Sequence, residues 1–342
     1  MDEVCGPRSD ARETLTLNSA SWSNGGTLSQ TGGTINLGGA FAGSSVIGRI
    51  SRSSGVLNIT GVLDLGGSGV LDIGSAAGAF GAGGLSGLSG TIRNGTLVNS
   101  TPGTASFVSA GGELDGMTIG NAGNLVLTGT GNGTLAVKNG LVLANGATFN
   151  AGPGTLYMQD STSVTAAGGG SATLTRSGGT LYANYNTSGT TGGVLTIGAG
   201  VTLSGYTSIN NYYSGGLVNN GTILANTANT LSISTATFTN GGTINAASGT
   251  VNISPGSTTT TPFANAGSLV VGGATVTINP NATLAWTNAG GITVQSGVLN
   301  LDGTVAPSVV GTGHFTRNGG QVNLTGVLDM AGATLDVGAA GP

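Results

Sequence analysis

Residues 238–244 read Phe-Thr-Asn-Gly-Gly-Thr-Ile, and this seven-residue phrase decides the fold because it recurs along the chain. Its general form is an apolar residue, any residue, Asn, any residue, Gly, any residue, and then Ile or Leu. Periods of 20 to 50 residues are typical of solenoids and other repeat architectures. The copies occupy residues 22–28, 119–125, 217–223, 238–244, 263–269 and 286–292, and the last four follow one another at nearly constant intervals.

Alternating apolar residues follow most copies of the phrase after about seven residues, as at 231–233 and 251–253. Two apolar side chains separated by one residue lie on the same face of a strand, and the residue between them faces away. Asn-Gly and Gly-Gly pairs between the strands permit the positive φ angles of tight corners. We therefore predict an all-β chain, a parallel β-solenoid of about 15 coils with 21–25 residues in each coil.

A coil of this length cannot bury a core alone, so it must stack on its neighbours. Equivalent residues then form columns along the solenoid. Buried side-chain amides are costly unless they are hydrogen-bonded, and a column of asparagines satisfies each amide from the next coil. The sequence predicts such a structural ladder at the phrase asparagines Asn219, Asn240, Asn265 and Asn288.

A longer repeat is superimposed on the coils, because the segment 22–74 reappears at 286–338. Residues 52–64 read Arg-Ser-Ser-Gly-Val-Leu-Asn-Ile-Thr-Gly-Val-Leu-Asp, and residues 317–329 read Arg-Asn-Gly-Gly-Gln-Val-Asn-Leu-Thr-Gly-Val-Leu-Asp. This match indicates a super-repeat of about 265 residues that restarts near 275–286. We expect an atypical segment at 1–13 outside the fold, a repeat region at 14–342, and a chain that is part of a longer polypeptide.

The recurring phrase and its apolar pairs resemble the haemagglutinin-type repeats of filamentous haemagglutinin and of autotransporter passenger domains, over Thr14–Val337. The resemblance implies a right-handed parallel β-helix, export across the outer membrane of a Gram-negative bacterium, and a role in adhesion or biofilm. It also implies an extracellular or cell-surface location. The sequence shows no signal peptide, secretion-recognition domain or membrane barrel of that family, so the route of export is open.

The composition bears on four features: nucleic-acid binding, membrane spans, disulfides and cofactors. Of 342 residues 68 are Gly, 6% are charged, and the net charge is −4, so no basic stripe is available for nucleic acid. No apolar run approaches the ~18 residues of a membrane span. The lone Cys5 excludes a disulfide within the chain, and we expect no cofactor.

Candidate catalytic residues are few. His314 is the only histidine, so we do not expect a histidine-dependent triad or metal site. We expect the His314 side chain at the surface. Aspartates recur with the repeat, as turn caps or solubilising groups would, whereas a catalytic pair needs one special location. They are Asp64, Asp72, Asp329 and Asp336. We predict no catalytic or metal-binding residues and no enzyme.

Two alternative functions stay open. Paired carboxylates on neighbouring coils would suit a polysaccharide-acting β-helix enzyme. Thr-x-Thr triplets at 14–16, 173–175, 235–237 and 275–277 raise an ice-binding β-solenoid, although a flat ice face needs one triplet on nearly every coil.

All six tyrosines fall between Tyr157 and Tyr213. Tyr157, Tyr182 and Tyr206 follow one another at intervals of one coil length, which predicts one column on successive coils and makes them candidate ligand contacts. Exposed aromatic rows stack on sugar rings or anchor protein partners. A column packed inside the coil, or a surface stripe without function, is the alternative.

These features together predict a non-catalytic structural or adhesive segment whose partners are glycans or proteins of host or microbial surfaces. The Ala- and Gly-rich stretch 75–90 lacks apolar alternation, which predicts a loop that leaves the coil.

Overall fold

The structure is a computed structural model that describes residues 13–74, 78–101, 108–121, 125–126, 133–185, 193–280, 284–311, 313–330, 332 and 334. The expectation that 1–13 stands apart from the fold therefore falls almost wholly outside the described residues, as does part of the phrase at 119–125. The described residues contain β-strands and three short 3-10 segments but no α-helix. The prediction of an all-β parallel solenoid is confirmed.

The described residues form about 12 turns, slightly fewer than the predicted 15. The reason is that some coils are longer than the repeat phrase suggests. Ser163 pairs with Thr196, and Val62 pairs with Thr91, so each of these coils contains more residues than the regular coil between Asn219 and Asn240. Longer coils use up the chain in fewer turns.

The chain forms two compact units. The first contains the described residues up to Leu156 together with Gly170–Ala172, and the second contains Tyr157–Gly169 and the described residues from Thr173 onward. The strands that begin before residue 157 are β1 (Thr14–Leu17), β2 (Leu28–Gln30), β3 (Thr34–Leu37), β4 (Ala40–Ala42), β5 (Ile50–Arg52), β6 (Val56–Ile59), β7 (Val62–Asp72), β8 (Gly87–Leu88), β9 (Thr91–Val98), β10 (Val108–Ile119), β11 (Leu125–Val126), β12 (Thr134–Leu143), β13 (Thr148–Asn150) and β14 (Thr155–Gln159).

The later strands are β15 (Ser163–Ala166), β16 (Ala172–Tyr185), β17 (Val194–Ile197), β18 (Val201–Asn210), β19 (Gly216–Asn219), β20 (Thr222–Ala225), β21 (Thr230–Ser234), β22 (Thr237–Asn240), β23 (Thr243–Ala246), β24 (Thr250–Ile253), β25 (Phe263–Asn265), β26 (Ser268–Val271), β27 (Thr275–Ile278), β28 (Thr287–Asn288), β29 (Gly291–Val294), β30 (Val298–Leu301), β31 (Thr304–Val305), β32 (Phe315–Arg317), β33 (Gln321–Leu324) and β34 (Val327–Leu328). The 3-10 segments are Gly43–Ser45, Ala167–Gly169 and Pro307–Val309.

Each regular coil of the second unit contains three strands, and each strand pairs in parallel with its equivalent in the next coil. Strand β19 pairs with β22, β20 with β23, and β21 with β24, and the same order continues through β30. The pairing register aligns equivalent residues of the phrase. The resulting interior column of aliphatic side chains is Ile223, Ile244, Leu269 and Ile292, all of them buried.

Aromatic rings form a second interior column. The ring centroids of Phe238 and Phe263 are 5.2 Å apart, and those of Phe263 and Trp286 are 5.5 Å apart. All three side chains are buried. Burial of a large apolar side chain contributes about 1.5–3 kcal/mol, so this column stabilises the stacking of one coil on the next.

The phrase asparagines form a third interior column, which is a ladder of side-chain amides. Asn219 Nδ2 donates to Asn240 Oδ1, Asn240 Nδ2 to Asn265 Oδ1, and Asn265 Nδ2 to Asn288 Oδ1, each over 2.7 Å. Backbone carbonyls accept the second hydrogen of these amides, for example that of Thr243 from Asn219 at 3.1 Å. The four asparagines are buried, so the ladder satisfies polar groups that water cannot reach.

The ladder has two different ends. Asn288 Nδ2 donates to the backbone carbonyls of Val309 and His314, at 3.1 and 3.2 Å. Asn219 pairs in register with Ile197 of the preceding coil, which offers no side-chain donor, and Asn219 Oδ1 is buried without a hydrogen-bond partner. The ladder therefore begins where the phrase begins to be regular.

The two copies of the super-repeat make the same side-chain contacts on the outer face. Asn58 Nδ2 donates to Asn36 Oδ1 over 2.9 Å in the first copy, and Asn323 Nδ2 donates to Asn300 Oδ1 over 2.8 Å in the second. In each copy the earlier asparagine donates to a threonine hydroxyl of the coil before it. Similar sequence thus gives the same local stacking in both units.

The prediction that the stretch 75–90 leaves the coil is wrong for its later part, and residues 75–77 are outside the described residues. Gly87–Leu88 pairs with both β6 and β10, and Phe80 and Leu85 are buried. Arg52 holds the segment in place, because its guanidinium donates to the carbonyl oxygens of Ala82 and Gly84. The absence of apolar alternation did not indicate a loop here, because the buried residues Phe80 and Leu85 enter the core singly from a bent backbone.

Substitution of Asn240 by alanine should lower the free energy of unfolding by about 2–3 kcal/mol, because it removes the donor to Asn265 Oδ1 and the acceptor of Asn219 Nδ2 inside the core. Asn36→Ala is the matched control: its amide hydrogen bonds lie on the outer face, and we expect a loss below about 1 kcal/mol. Chemical denaturation followed by circular dichroism measures both. Equal losses would contradict a structural role for the buried ladder.

Candidate functional site

Five tyrosines lie together in the second unit, and four of them form a closed ring of contacts that we call the tyrosine cluster. The centroid distances are 5.3 Å for Tyr157 and Tyr182, 5.4 Å for Tyr182 and Tyr212, 5.0 Å for Tyr212 and Tyr185, and 4.4 Å for Tyr185 and Tyr157. Tyr213 joins the cluster through Tyr212, at 5.1 Å. The Tyr157 and Tyr182 rings are stacked, while both contacts of Tyr212 within the ring are edge-to-face.

Strand alternation directs the rings of Tyr157 and Tyr182 away from the core. Leu181 and Ala183 of β16 are buried, so Tyr182 between them lies on the outer face and is half-buried. Tyr157 stands in the same way between buried Leu156 and Met158 of β14. Both rings are therefore available to the outside of the solenoid rather than to its interior.

Tyr212 and Tyr213 follow the end of β18 and come from a turn. The backbone N–H of Tyr212 donates to the carbonyl of Asn184 over 3.3 Å, which holds the turn against β16. The Tyr212 side chain keeps 50% of its surface exposed. This ring is thus fixed at its base and open at its outer side.

Tyr206 does not join the cluster, although the sequence spacing places it in one column with Tyr157 and Tyr182. Among the described residues it makes no ring contact with another tyrosine. The hydroxyl of the adjacent Thr207 donates to the carbonyl of Gly179 over 3.0 Å, which puts this part of β18 beside the Gly178–Gly179 bend of β16. This contact places Tyr206 beside the bend rather than beside Tyr182, so that equal spacing in the sequence does not give one column.

Tyr185 and Tyr212, rather than Tyr206, contact the rings of Tyr157 and Tyr182. The spacing of tyrosines along the sequence did not identify these two residues. The only signal was composition, since all six tyrosines fall in one short part of a chain that is 4% aromatic. The cluster depends on a turn and a bend that the repeat phrase does not encode.

Burial raises the pKa of the Tyr157 phenol, and the neighbouring tyrosines Tyr182, Tyr185 and Tyr212 raise it further because two phenolates repel each other. The phenol therefore keeps its proton to a higher pH than an ordinary tyrosine does. In this protonated form it is both a hydrogen-bond donor and an acceptor beside an apolar ring face.

Asn184 of β16 precedes Tyr185 of the cluster. Its side chain is buried, and neither of its amide atoms has a hydrogen-bond partner. A Cβ placed on Gly193 or on Gly215 would come within 2.3 Å of this side chain. Both glycines therefore pack directly against the Asn184 side chain.

A buried arginine stabilises the bend that shapes this region. Arg176 of β16 donates to the carbonyls of Gly178 and Thr180, at 3.1 and 3.3 Å. Burial lowers the pKa of its guanidinium to about 10. Neither this buried arginine nor Arg52 was identified from the sequence, because an isolated arginine in a repeat looks like a surface residue.

A cleft of about 440 Å³ lies in the first unit, and charged side chains form part of its lining. Trp22 and Phe41 line it, with stacked rings 4.5 Å apart, and so do Asp64 and Arg93, which form an ion pair of 2.8 Å. The backbone N–H of Gly66, together with Asn94 and Arg93, lowers the pKa of Asp64. Asp64 is the one carboxylate in the lining, whereas glycoside hydrolysis uses two.

The other predicted residues are dispersed. The His314 side chain is half-buried, and its Nδ1 is 2.9 Å from the carbonyl of Gly290. Asp72 accepts the backbone N–H groups of Gly74 and Ser100, as a turn cap does, and Asp336 is outside the described residues. The described part of the chain has no group of three potential metal ligands and no helix long and apolar enough to cross a membrane.

The threonine triplets do not form a continuous face. Thr275 and Thr277 of β27 pair with Val298 and Asn300 of the next coil. On the other side Thr277 pairs with Asn252. An ice-binding surface would need threonine at these positions too.

Comparison of the chain with protein-family models, with curated proteins and with solved structures gives no match. The resemblance to haemagglutinin-type repeats therefore stays a prediction from the sequence.

Titration of Tyr157 should appear in the pH dependence of stability. The folded-state pKa of Tyr157 is raised, so the unfolded chain loses this proton first and stability falls as the pH rises above the ordinary tyrosine value of about 10. Tyr157→Phe should reduce this alkaline loss. Denaturation midpoints of the unsubstituted chain and of Tyr157→Phe, measured across the alkaline range, test this, and identical pH profiles for the two proteins would contradict it.

Proposed function

We propose that this chain is a non-catalytic structural and adhesive segment of a secreted or surface-displayed bacterial repeat protein, and that the tyrosine cluster is its binding site for a surface glycan. The solenoid supports the site, and the cluster makes the contact. The observation that carries the proposal is the meeting of five of the chain's six tyrosines in one partly exposed patch.

The chemistry of the patch suits a sugar ligand. A pyranose ring presents an apolar face that packs on an aromatic ring, and its hydroxyls pair with phenol groups. Tyr212 offers an exposed ring that is held by its neighbours, so little side-chain freedom is lost on binding. Charged residues are scarce in the chain, at 6%, which favours a neutral ligand over a highly charged one.

The composition supports display outside the cell. The chain has a single cysteine and few charges, and it obtains its stability from stacked coils, as shown by the aromatic column and the asparagine ladder. A fold whose core is built from stacked side chains and backbone pairing suits an exported scaffold. This interpretation agrees with the resemblance of the phrase to exported adhesive repeats.

Glycan-array binding by the whole chain tests the proposal. Tyr212→Ser should weaken binding of the selected glycan by about tenfold or more, because it removes the most exposed ring of the cluster. Tyr206→Ser is the matched control, since it removes a tyrosine of the same unit that makes no ring contact, and we expect unchanged binding. Circular dichroism of both variants verifies that they are folded.

Two results would count against the proposal. One is the absence of selective binding to any glycan by the folded chain, and the other is equal loss of binding in the two variants. Binding to a protein ligand that is lost in Tyr212→Ser and retained in Tyr206→Ser would support the tyrosine cluster as the binding site. It would show that the ligand is a protein rather than a glycan.

A further inference from the structure

Charged side chains are aligned on one outer face of the first unit. Alternate residues of β7, β9, β10 and β12 point outward, because the residues between them, such as Leu63, Ile92 and Leu114, are buried. The pairing registers then bring one charged residue from each of these four strands into a single row. We call this row the charged column, and it consists of Asp64, Arg93, Asp115 and Lys138.

The sign of the charge alternates along the charged column. Like charges on adjacent strands repel each other, so alternation is favourable within one molecule. It does not give every charge an ionic partner, however. Asp64 and Arg93 form an ion pair of 2.8 Å, whereas Asp115 accepts the side-chain amide of Asn139 over 2.6 Å and Lys138 forms no ion pair among the described residues. The later half of the column is therefore available to charges of another molecule.

The charged column lies on a continuous part of the solenoid. Strand β7 pairs with β4 in the preceding coil, where Ala42 is in register with Asp64, and β12 pairs with β14 in the following coil. The Arg93 side chain is 44% exposed and that of Asp64 is 32% exposed, while Asp115 and Lys138 are half-buried. The column is thus an accessible row on the outer surface of a sheet whose strands are paired on both sides.

The charged column is complementary to its own reverse. Read from Asp64 to Lys138 the signs are negative, positive, negative, positive, and read backwards each sign is inverted. If a second copy of this face meets the first in the opposite direction, Asp64 faces Lys138 of the second copy. In the same arrangement Arg93 faces Asp115 of the second copy. Because neighbouring strands are about 4.8 Å apart in both copies, all four pairs are in register at once.

The adjacent row on the same face is also compatible with reversal. It lies two residues earlier on each strand and consists of Val62, Thr91, Glu113 and Ala136. Reversal puts Val62 against Ala136, so that apolar groups meet. It puts the Thr91 hydroxyl against the Glu113 carboxylate, a pair that already forms a hydrogen bond of 3.3 Å within one molecule. Two copies that run in the same direction, displaced by one coil, would put Glu113 against Ala136 instead.

We propose that two copies of this chain associate through this face in opposite directions, as a symmetric dimer held by the charged column. The two-fold axis runs along the strands, between the coils of Arg93 and Asp115. The contact is isologous, because the same surface is used by both copies, so it closes at two. Its charge pairs act as a network, whereas an isolated surface ion pair contributes little. The dimer does not depend on the tyrosine cluster or on a glycan.

Charge reversal at the two central positions tests the pairing. Arg93→Asp puts a carboxylate against Asp115 of the second copy, and Asp115→Arg puts a guanidinium against Arg93 of the second copy. The two-fold axis makes each unfavourable contact occur twice. Each substitution alone should therefore raise the dissociation constant of the dimer at least about tenfold. Sedimentation equilibrium over a concentration series at low ionic strength measures this constant.

The two substitutions in one chain should restore association. The doubly substituted column reads negative, negative, positive, positive, which is again complementary to its reverse. One substitution lowers the net charge by two and the other raises it by two, so the double variant keeps the net charge of −4. An equimolar mixture of the two single variants should also associate, as a heterodimer. Copies that run in the same direction would not recover in the double variant, because like charges would then meet at Asp64 and at Lys138.

Asp302→Arg is the control for the single reversal. It makes the same change of charge as Asp115→Arg, at a half-buried aspartate of the second unit that is not part of the charged column. We expect the dissociation constant to stay unchanged. Circular dichroism establishes that each variant is folded.

The salt dependence of the unsubstituted chain gives a test that needs no variant. Because the charge pairs are at the surface, the dissociation constant should rise at least about tenfold between about 0.05 and about 0.5 M salt. A chain that stays monomeric throughout the concentration series, or a dimer that salt does not weaken, would overturn the proposal. So would failure of the double variant to recover, or an equal effect of Asp302→Arg.

Discussion

Hydrogen bonding from one coil to the next is the interaction on which the rest of this structure depends. A coil of about 21–25 residues cannot bury its own apolar side chains, so its strands, amides and rings must find partners in the coils on either side. The asparagine ladder shows how strict this requirement is, because four buried amides are joined by three bonds of 2.7 Å and its last member turns to backbone carbonyls. The columns of Ile, Leu and aromatic side chains are possible only because this pairing fixes equivalent residues in register.

The candidate site arises where this regularity is interrupted. The bend at Gly178–Gly179, held by Arg176, lies beside the part of β18 that contains Tyr206, and the turn after β18 brings Tyr212 against β16. A strictly repeating coil would stack identical residues in columns and would give no single location a special character. The proposed binding function therefore uses a local departure from the repeat, supported by regular coils on which aromatic side chains can be held at low entropic cost.

The same constraint distinguishes the first and last described coils from the interior coils. An interior coil satisfies both of its edges, whereas β1 and β33 each leave one edge unpaired among the described residues, and the super-repeat shows the same residue patterns buried elsewhere. Natural β-proteins usually protect such edges with charges, bulges or covering segments. Here the exposed Leu324 and Val327 keep the apolar character of core residues, because their equivalents in the first copy are core or half-buried residues.

The sequence by itself determined the fold class, the strand phrase and the identity of the stacked columns, because alternation and turn glycines are local properties that recur in every coil. It predicted which asparagines would align, since their spacing equals one coil in the regular region. It placed Tyr206 with Tyr157 and Tyr182, and it treated the stretch 75–90 as a loop, because both inferences assumed regular alternation and a constant coil length. Only the tertiary structure decided which tyrosines meet and which apolar segments are covered. Those outcomes depend on the length of chain between paired strands, which is greater from Ser163 to Thr196 than from Asn219 to Asn240. That length is set by bends, long turns and buried arginines that no repeat phrase encodes.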